Sequence, residues 1–371
     1  MRKLSQVIIF LFISFKLLSQ NDTLSDKYFV QANAGYGFVF EHRSSISYYV
    51  KGHIPEIKLK IGKSTTGTKQ WQELFKYPDL GFGYYFADLH NPNVLGLVNA
   101  AYFFIDVPYV RTPKLNFSYN FDLGLAYLSK KFDIQTNYIN TAIGSHINAY
   151  INLGILLDYK LSDKITFSNS LNFTHYSNGK FALPNLGLNI INFQSGVKYY
   201  LKKRYNEHKY IKTYVDKNKV LYKNIFYVNF SSGLQQIAIS TQKKYMCNSL
   251  NFNYGRVLSK KHIIGIGLDF FNNSGLYVNL NKSYYTNIYD KSYNYRMGMH
   301  VYTDVVFNKF LFTIQAGYYL YSKWKDVEVV YNRFGLIYRL SKHITTNITL
   351  KTHLVKADYV EFGLGYYFLT K

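Results

Sequence analysis

His175 and Ser177 lie two residues apart near the middle of the chain, in the segment HYSNG. The residues before them alternate between apolar and polar, which predicts a β-strand over Ile165–Ser177. Successive side chains of a strand point to opposite faces, so the pair shares one face, about 7 Å apart along the backbone. An imidazole at this range can take the proton of a serine hydroxyl and so activate its oxygen for attack on an acyl group. The pair is therefore a candidate general base and nucleophile.

The face that carries this pair decides whether a substrate can reach it. In a water-soluble protein an apolar strand face is the core, and a buried pair has no route to substrate. In a membrane barrel the apolar face meets lipid, and the pair would confront acyl chains directly. The face of the pair is largely apolar and the opposite face is polar: Ile165, Phe167, Asn169, Leu171 and Phe173 against Thr166, Ser168, Ser170, Asn172, Thr174 and Tyr176.

The start of the chain predicts a secretory signal in residues 1–20. Arg2 and Lys3 precede a short apolar run, and the small residue Ser19 follows it. The run is shorter than the about 20 apolar residues that a membrane-spanning helix needs. Aromatic residues make up 19% of the chain, and many alternating segments follow the signal. The pattern predicts an all-β fold, an antiparallel transmembrane β-barrel in the outer membrane of a Gram-negative bacterium, with a water-soluble all-β protein as the alternative.

The net charge of +23 has two interpretations. It could attract the phosphates of lipopolysaccharide, or it could reflect lysines spread over turns and loops, which is the interpretation favoured for most of them. Nucleic acid is a poor partner, because the signal directs the protein away from it. The lone Cys247 excludes an internal disulfide. No motif for metal binding occurs, so we expect no metal and no cofactor.

The alternating segments number about eight before residue 203 and about eight after residue 222. Between them, residues 204–222 form a dense run of charge that reads as a linker. We therefore expect a β-barrel in residues 21–203 and a second barrel-like domain in residues 223–371. A single barrel of about sixteen strands, with the charged run as one long connection, is the alternative. Short periplasmic turns are the rule in such barrels, which favours two units.

The chain also contains a weak internal similarity. The segment LNFTHYSN near Leu171 resembles LKTHLVKA near Leu350. If this is a true repeat, His353 corresponds to His175, and Val355 stands where the serine would fall. The second copy would then lack a nucleophile.

The segment HYSNG, followed by PNLG from Pro184 to Gly187, resembles the lipid A 3-O-deacylase family of outer-membrane barrels, which also includes acyloxyacyl hydrolases. The resemblance covers roughly residues 28–203. It implies an eight-stranded barrel with a serine-hydrolase site on its lipid-facing exterior, acting on lipid A within lipopolysaccharide.

Carried over by position, the resemblance implies a set of site residues. His175 would be the general base and Ser177 the nucleophile. The family's third member is a glutamate, and this chain has Asn189 at that position. An amide can orient an imidazole, but it cannot stabilise the imidazolium by charge. The remaining residues would be Asn178 and Gly179 at the oxyanion, and Asn185, Lys180 and Phe173 against the substrate.

Three functions are compatible with the sequence. The first is an outer-membrane esterase that removes an ester-linked acyl chain from lipid A. The second is a non-catalytic barrel, such as a porin, adhesin or scaffold, and the third is an esterase acting on phospholipid. If the amino terminus is periplasmic, the strand that ends at Ser177 is the seventh and runs outward. The pair would then lie near the extracellular boundary, in the leaflet that holds lipopolysaccharide.

Overall fold

The structure is a computed structural model that describes residues 27–41, 43–202, 223–324, 329–354 and 356–370. Sixteen strands make up most of the described chain, close to the predicted number and positions. The first half contains β1 (Lys27–Val39), β2 (Ile54–Ser64), β3 (Asp79–Asp88), β4 (Leu97–Arg111), β5 (Leu115–Leu128), β6 (Ile147–Lys160), β7 (Ile165–Ser177) and β8 (Leu188–Tyr200). The second half contains β9 (Asn224–Gln236), β10 (Lys244–Val257), β11 (His262–Asn273), β12 (Tyr295–Phe307), β13 (Phe310–Ser322), β14 (Val330–Arg339), β15 (Ile344–His353) and β16 (Lys356–Thr370).

Short helical segments occupy some of the connections. They are α1 (Ser44–Ser47), α2 (Gln70–Leu74), α3 (Leu276–Ser283) and a 3₁₀ turn at Lys291–Asn294. The sequence pattern does not predict them, because each is shorter than the window in which a helical period can be recognised. Within the described ranges, no helix is both long enough and apolar enough to cross a membrane.

The strands form two closed antiparallel barrels, β1–β8 and β9–β16. Each strand pairs with its neighbours in the chain, and β8 returns to β1, where Phe193 lies opposite Tyr36. In the same way β16 returns to β9, where Leu364 lies opposite Phe230. Two tandem barrels, rather than one barrel of about sixteen strands, are therefore confirmed. The predicted limits of the domains, residues 21–203 and 223–371, stay predictions, and the barrels lie within them. The predicted signal (1–20) and linker (204–222) fall outside the described residues.

The two faces of the strands have opposite character. Along β7, Phe167, Leu171 and Phe173 point outward and are exposed, whereas Thr166 and Ser168 point inward and are buried. Large apolar side chains are exposed around both barrels, and polar or charged side chains are buried inside them. This is the reverse of a protein with an apolar core, and it is the pattern of a barrel whose exterior meets lipid.

Buried ion pairs fill both barrel interiors. In the first barrel, Lys58 Nζ lies 2.6 Å from Asp122 Oδ2. In the second, Arg333 Nε lies 2.8 Å from Glu361 Oε2. All four side chains are almost fully buried. Eight strands enclose a space that side chains can just fill, and here they do so with paired charges.

The two barrels also touch each other along their sides. The rings of Phe75 and Phe307 stack with their centroids 3.9 Å apart. Phe121 of β5 meets Phe312 of β13 edge to face, with centroids 6.0 Å apart. Aromatic contacts of this kind add to the free energy of apolar burial. The two barrels are therefore in direct contact.

Candidate active site

Three of the predicted side chains form one hydrogen-bonded series. Ser177 Oγ lies 2.9 Å from His175 Nε2, and Asn189 Oδ1 lies 2.6 Å from His175 Nδ1. The first two residues are on β7, and Asn189 lies opposite His175 in the ladder between β7 and β8. The order is that of a nucleophile, a base and the group that orients the base.

The amide oxygen of Asn189 selects the tautomer of His175. An amide oxygen only accepts hydrogen bonds, so the proton between these two groups is on Nδ1, which donates it. Nε2 of the neutral ring then carries the lone pair and accepts the hydroxyl proton of Ser177. Asn189 thus supplies the orientation that a carboxylate would give, but without its negative charge.

The series lies on the outward face of the first barrel. His175 is half-buried and continues the outward row of Leu171 and Phe173, with Phe173 38% exposed. Ser177 is the last residue of β7 and is 8% exposed. Apolar side chains therefore lead along the barrel surface towards the serine, as an acyl chain would require.

The two residues predicted to hold an oxyanion differ in their hydrogen bonding. The side chain of Asn178 is already bonded to two loops: its Nδ2 donates to Ser145 Oγ of the β5–β6 loop at 2.9 Å and to Ala182 O of its own loop at 3.0 Å. Its backbone N–H donates to Asn185 Oδ1 at 3.1 Å, which is how Asn185 shapes the loop. Within the described residues, the N–H of Gly179 donates no hydrogen bond. For Asn178 to donate to an oxyanion, one of its present hydrogen bonds would have to break. The N–H of Gly179 could donate to an oxyanion without breaking such a bond. Both roles stay predictions.

Gly187 is placed where only a glycine fits. Its φ is +80°, a left-handed conformation that side chains rarely adopt. A Cβ atom there would lie 2.8 Å from His175 Cε1. The glycine of the PNLG segment therefore leaves room for the imidazole.

We expect Gly187→Ala to lower turnover by about tenfold or more while the barrel still folds. The added methyl would push the ring of His175 away from Ser177, and small displacements of a base are costly to the reaction. Steady-state kinetics of the purified variant, with heat-modifiable gel mobility as the folding control, would measure this. Unchanged turnover in a folded variant would mean that the ring position is not critical.

Sequence reasoning missed the residues that support the loop from the first barrel. Ser145 and its neighbour His146, in the loop between β5 and β6, bond to different groups. Ser145 Oγ accepts from Asn178, whereas His146 Nδ1 lies 2.7 Å from Leu128 O. The backbone N–H of Gly187 also donates to Ala142 O at 3.0 Å. The loop between β5 and β6 thus supports the loop between β7 and β8.

The second barrel holds the same loop from the other side. Gln236 N–H donates to Lys180 O at 3.0 Å, and Gln236 Oε1 accepts from Leu183 N–H at 3.1 Å. Lys244 Nζ donates to Phe181 O and lies 4.6 Å from the centre of the Phe181 ring. No local sequence signal links these residues, which are more than fifty positions apart. Lys180, predicted to meet substrate, lies at this contact and not in the hydrogen-bonded series.

His353 does not reproduce His175 in the second barrel. It is buried, faces the barrel interior and shares a 2.9 Å hydrogen bond with Tyr319 Oη. In the first segment the histidine follows its leucine by four positions, and in the second by three, which reverses the face in an alternating strand. Val355 lies outside the described residues. The similarity between the segments therefore does not extend to a second site.

No group of three or more potential metal-binding side chains (His, Cys, Asp or Glu) is found within the described ranges.

Comparison with known families finds two matches that together span most of the chain. Residues 56–198 match the family described as "Lipid A 3-O-deacylase (PagL)". Residues 222–371 match the family described as "Acyloxyacyl hydrolase, C-terminal domain". The first match contains the hydrogen-bonded series, and the second contains the whole second barrel.

Two solved structures match the chain at low identity. Neisserial surface protein A is 11% identical, with a TM-score of 0.32, over 46% of this chain and 96% of that protein. A porin of Rhodopseudomonas blastica is 9% identical, with a TM-score of 0.18, over 93% of this chain and 100% of the porin. A search of curated proteins found no match.

Proposed function

Since the chain belongs to the lipid A 3-O-deacylase family and carries the acyloxyacyl hydrolase C-terminal domain, we propose that it is an outer-membrane serine esterase that removes an ester-linked acyl chain from lipid A. The observation that carries the proposal is the series Ser177–His175–Asn189 on an outward, apolar barrel face. In a membrane this face meets acyl chains, so a nucleophile there needs no water-filled pocket to reach a lipid ester. The charged side chains that fill both interiors favour this function over that of a porin.

The first chemical step is transfer of the acyl group to Ser177. Its Oγ attacks the ester carbonyl as His175 Nε2 takes the hydroxyl proton. The carbonyl oxygen becomes an oxyanion, to which the N–H of Gly179 and the amide of Asn178 are the proposed donors. The tetrahedral intermediate collapses, and the sugar oxygen leaves with the proton from Nε2.

The second step is hydrolysis of the acyl-enzyme. Water gives a proton to His175 Nε2 and attacks the acyl carbonyl, and Ser177 Oγ leaves with that proton as the fatty acid is released. In both steps the ring is transiently an imidazolium. Asn189 Oδ1 accepts its Nδ1–H with a dipole and not a charge, so this asparagine stabilises it less than a carboxylate would.

The proposal requires the end of β7 to face the outside of the cell. We expect an impermeant maleimide to label Gln135→Cys in intact cells, in a Cys247→Ser background, because the exposed β5–β6 loop lies at the same barrel end as Ser177. Lys114→Cys, in the exposed turn at the opposite end, should be labelled only after the outer membrane is permeabilised. The reverse pattern would place the site at the periplasmic leaflet and disfavour lipid A as substrate.

Mass spectrometry of lipids from cells with and without the protein tests the function itself. We expect lipid A to lose one acyl chain when the protein is present. Lysophospholipid with unchanged lipid A would indicate an esterase that acts on phospholipid. No change in either lipid class would indicate a non-catalytic barrel.

A further inference from the structure

A polar cavity lies where the loop after β7 meets the open end of the second barrel. Its volume is about 130 Å³. Lys180 of the loop and Arg296, Trp324, Lys356 and Asp358 of the second barrel are among the residues that line it. Pockets that enclose a whole small ligand measure about 300–1,000 Å³. This cavity therefore suits one charged group of a larger molecule.

Positively charged side chains outnumber negatively charged ones among the described residues that line the cavity. Of the described residues that line it, Lys180, Arg296 and Lys356 carry positive charge and Asp358 carries negative charge. Asp358 Oδ2 already lies 2.7 Å from Lys351 Nζ, and both side chains are buried. Lys180 Nζ is 4.0 Å from the other carboxylate oxygen, at the outer limit of an ion pair. Lys180 and Arg296 remain in excess of this one described carboxylate, which Lys351 already pairs, and an excess of cations attracts an anion.

Two hydrogen-bond donors in the cavity wall have no acceptor among the residues that the structure describes. Arg296 Nε and Trp324 Nε1 are both buried, and neither has a partner within the described residues. Buried donors are nearly always bonded, and leaving one unbonded costs free energy. A phosphate group supplies several acceptor oxygens and a negative charge, and guanidinium and ammonium groups are its usual partners in proteins.

The loop contact fixes the cavity close to the site. Lys180 is three residues from Ser177, a separation of at most about 11 Å along an extended chain. Its carbonyl oxygen accepts the hydrogen bond from Gln236 N–H, so the lysine is anchored to the second barrel. A lipid whose ester lies at Ser177 could therefore place a charged group of its own head group in the cavity.

We propose that this cavity binds a phosphate group on the sugar head group of the lipid substrate, so that the second barrel orients the ester for attack on the first. The identity of the lipid rests on the function proposed above. The anion site itself does not, because it follows from the charges and unpartnered donors of the cavity.

Binding can be measured without turnover. The chain has two tryptophans, so the full-length Ser177→Ala protein carrying Trp71→Phe reports on Trp324 alone. We expect inorganic phosphate and phosphorylated lipid A each to change its fluorescence saturably, in competition with each other, whereas dephosphorylated lipid A does not. Affinity for phosphorylated lipid A should fall about tenfold or more in Arg296→Gln and in Lys356→Gln. Lys309→Gln, an exposed cation in the β12–β13 turn at the opposite end of the barrel, is the matched control.

The possible outcomes test the phosphate site and the esterase activity separately. Equal binding of phosphorylated and dephosphorylated lipid A would overturn the phosphate site. Saturable binding of inorganic phosphate that lipid A does not displace would overturn the lipid assignment and leave a site for the free anion. Phosphate-dependent binding of lipid A, with no hydrolysis by the wild-type protein, would support the cavity and refute the esterase. Lys356 is exposed, so its variant keeps the test valid if Arg296→Gln does not fold.

Discussion

Replacing Ser177 with alanine is expected to lower the turnover of lipid A by about 10⁴-fold or more, since the acyl-enzyme can no longer form. The barrel should fold as before. The residue ends a strand on the outer face, and the side chain of Ser177 bonds to His175 rather than to the barrel interior, so loss of one hydroxyl opens no core cavity. Initial rates of acyl release from lipid A in detergent micelles would measure the effect.

A second serine provides the matched control for this variant. Ser195 lies on β8, is half-buried, and donates from Oγ to Asn169 Oδ1 at 2.6 Å. Ser195→Ala should therefore retain full turnover. Activity in a normally folded Ser177→Ala protein would remove Ser177 as the nucleophile.

Replacing Asn189 with alanine is expected to lower turnover by about 10³-fold. Nδ1 of His175 would lose the acceptor at 2.6 Å that fixes its tautomer, and a ring with the proton on Nε2 cannot act as the base. Asn189→Asp should raise turnover, because an oxygen in the same position would add a negative charge beside the imidazolium. The longer Asn189→Glu, which restores the family's residue, should leave turnover unchanged or raise it. Steady-state kinetics of the three variants would measure these differences.

Asn169, farther from Ser177 on the same outward face of β7, controls for the loss of an amide. Asn169→Ala removes the partner of Ser195 and should change turnover little. Full turnover in Asn189→Ala would show that another group orients the base. A large loss in Asn189→Asp would show that the amide has a role of its own.

The fold could be predicted well from the sequence because it depends on a local pattern. In β7 each side chain alternates between lipid-facing and interior positions, so apolar and polar residues alternate in the sequence. The same alternation placed His175 and Ser177 on one outward face. Strands that follow each other in the chain pair with each other, and the register between β7 and β8 places Asn189 opposite His175.

The rest of the site depends on contacts between distant parts of the chain. Gln236 and Lys244 reach the loop after β7 from the second barrel, and no motif near them signals it. The commitment of Asn178 to Ser145 likewise depends on how two loops meet. A one-residue difference in spacing put His353 on the interior face, although the resemblance of the two segments suggested a repeat of the site.

Trapping the nucleophile in the wild-type protein tests most directly whether Ser177 carries the esterase activity. A fluorophosphonate with an alkyl chain should react with the activated serine, and peptide mass spectrometry would identify the modified residue. We expect one adduct, on Ser177, whose accumulation parallels the loss of lipid A deacylation. Lipid A deacylation that persists when Ser177 is fully modified, or that is lost through an adduct on another residue, would contradict this role of Ser177.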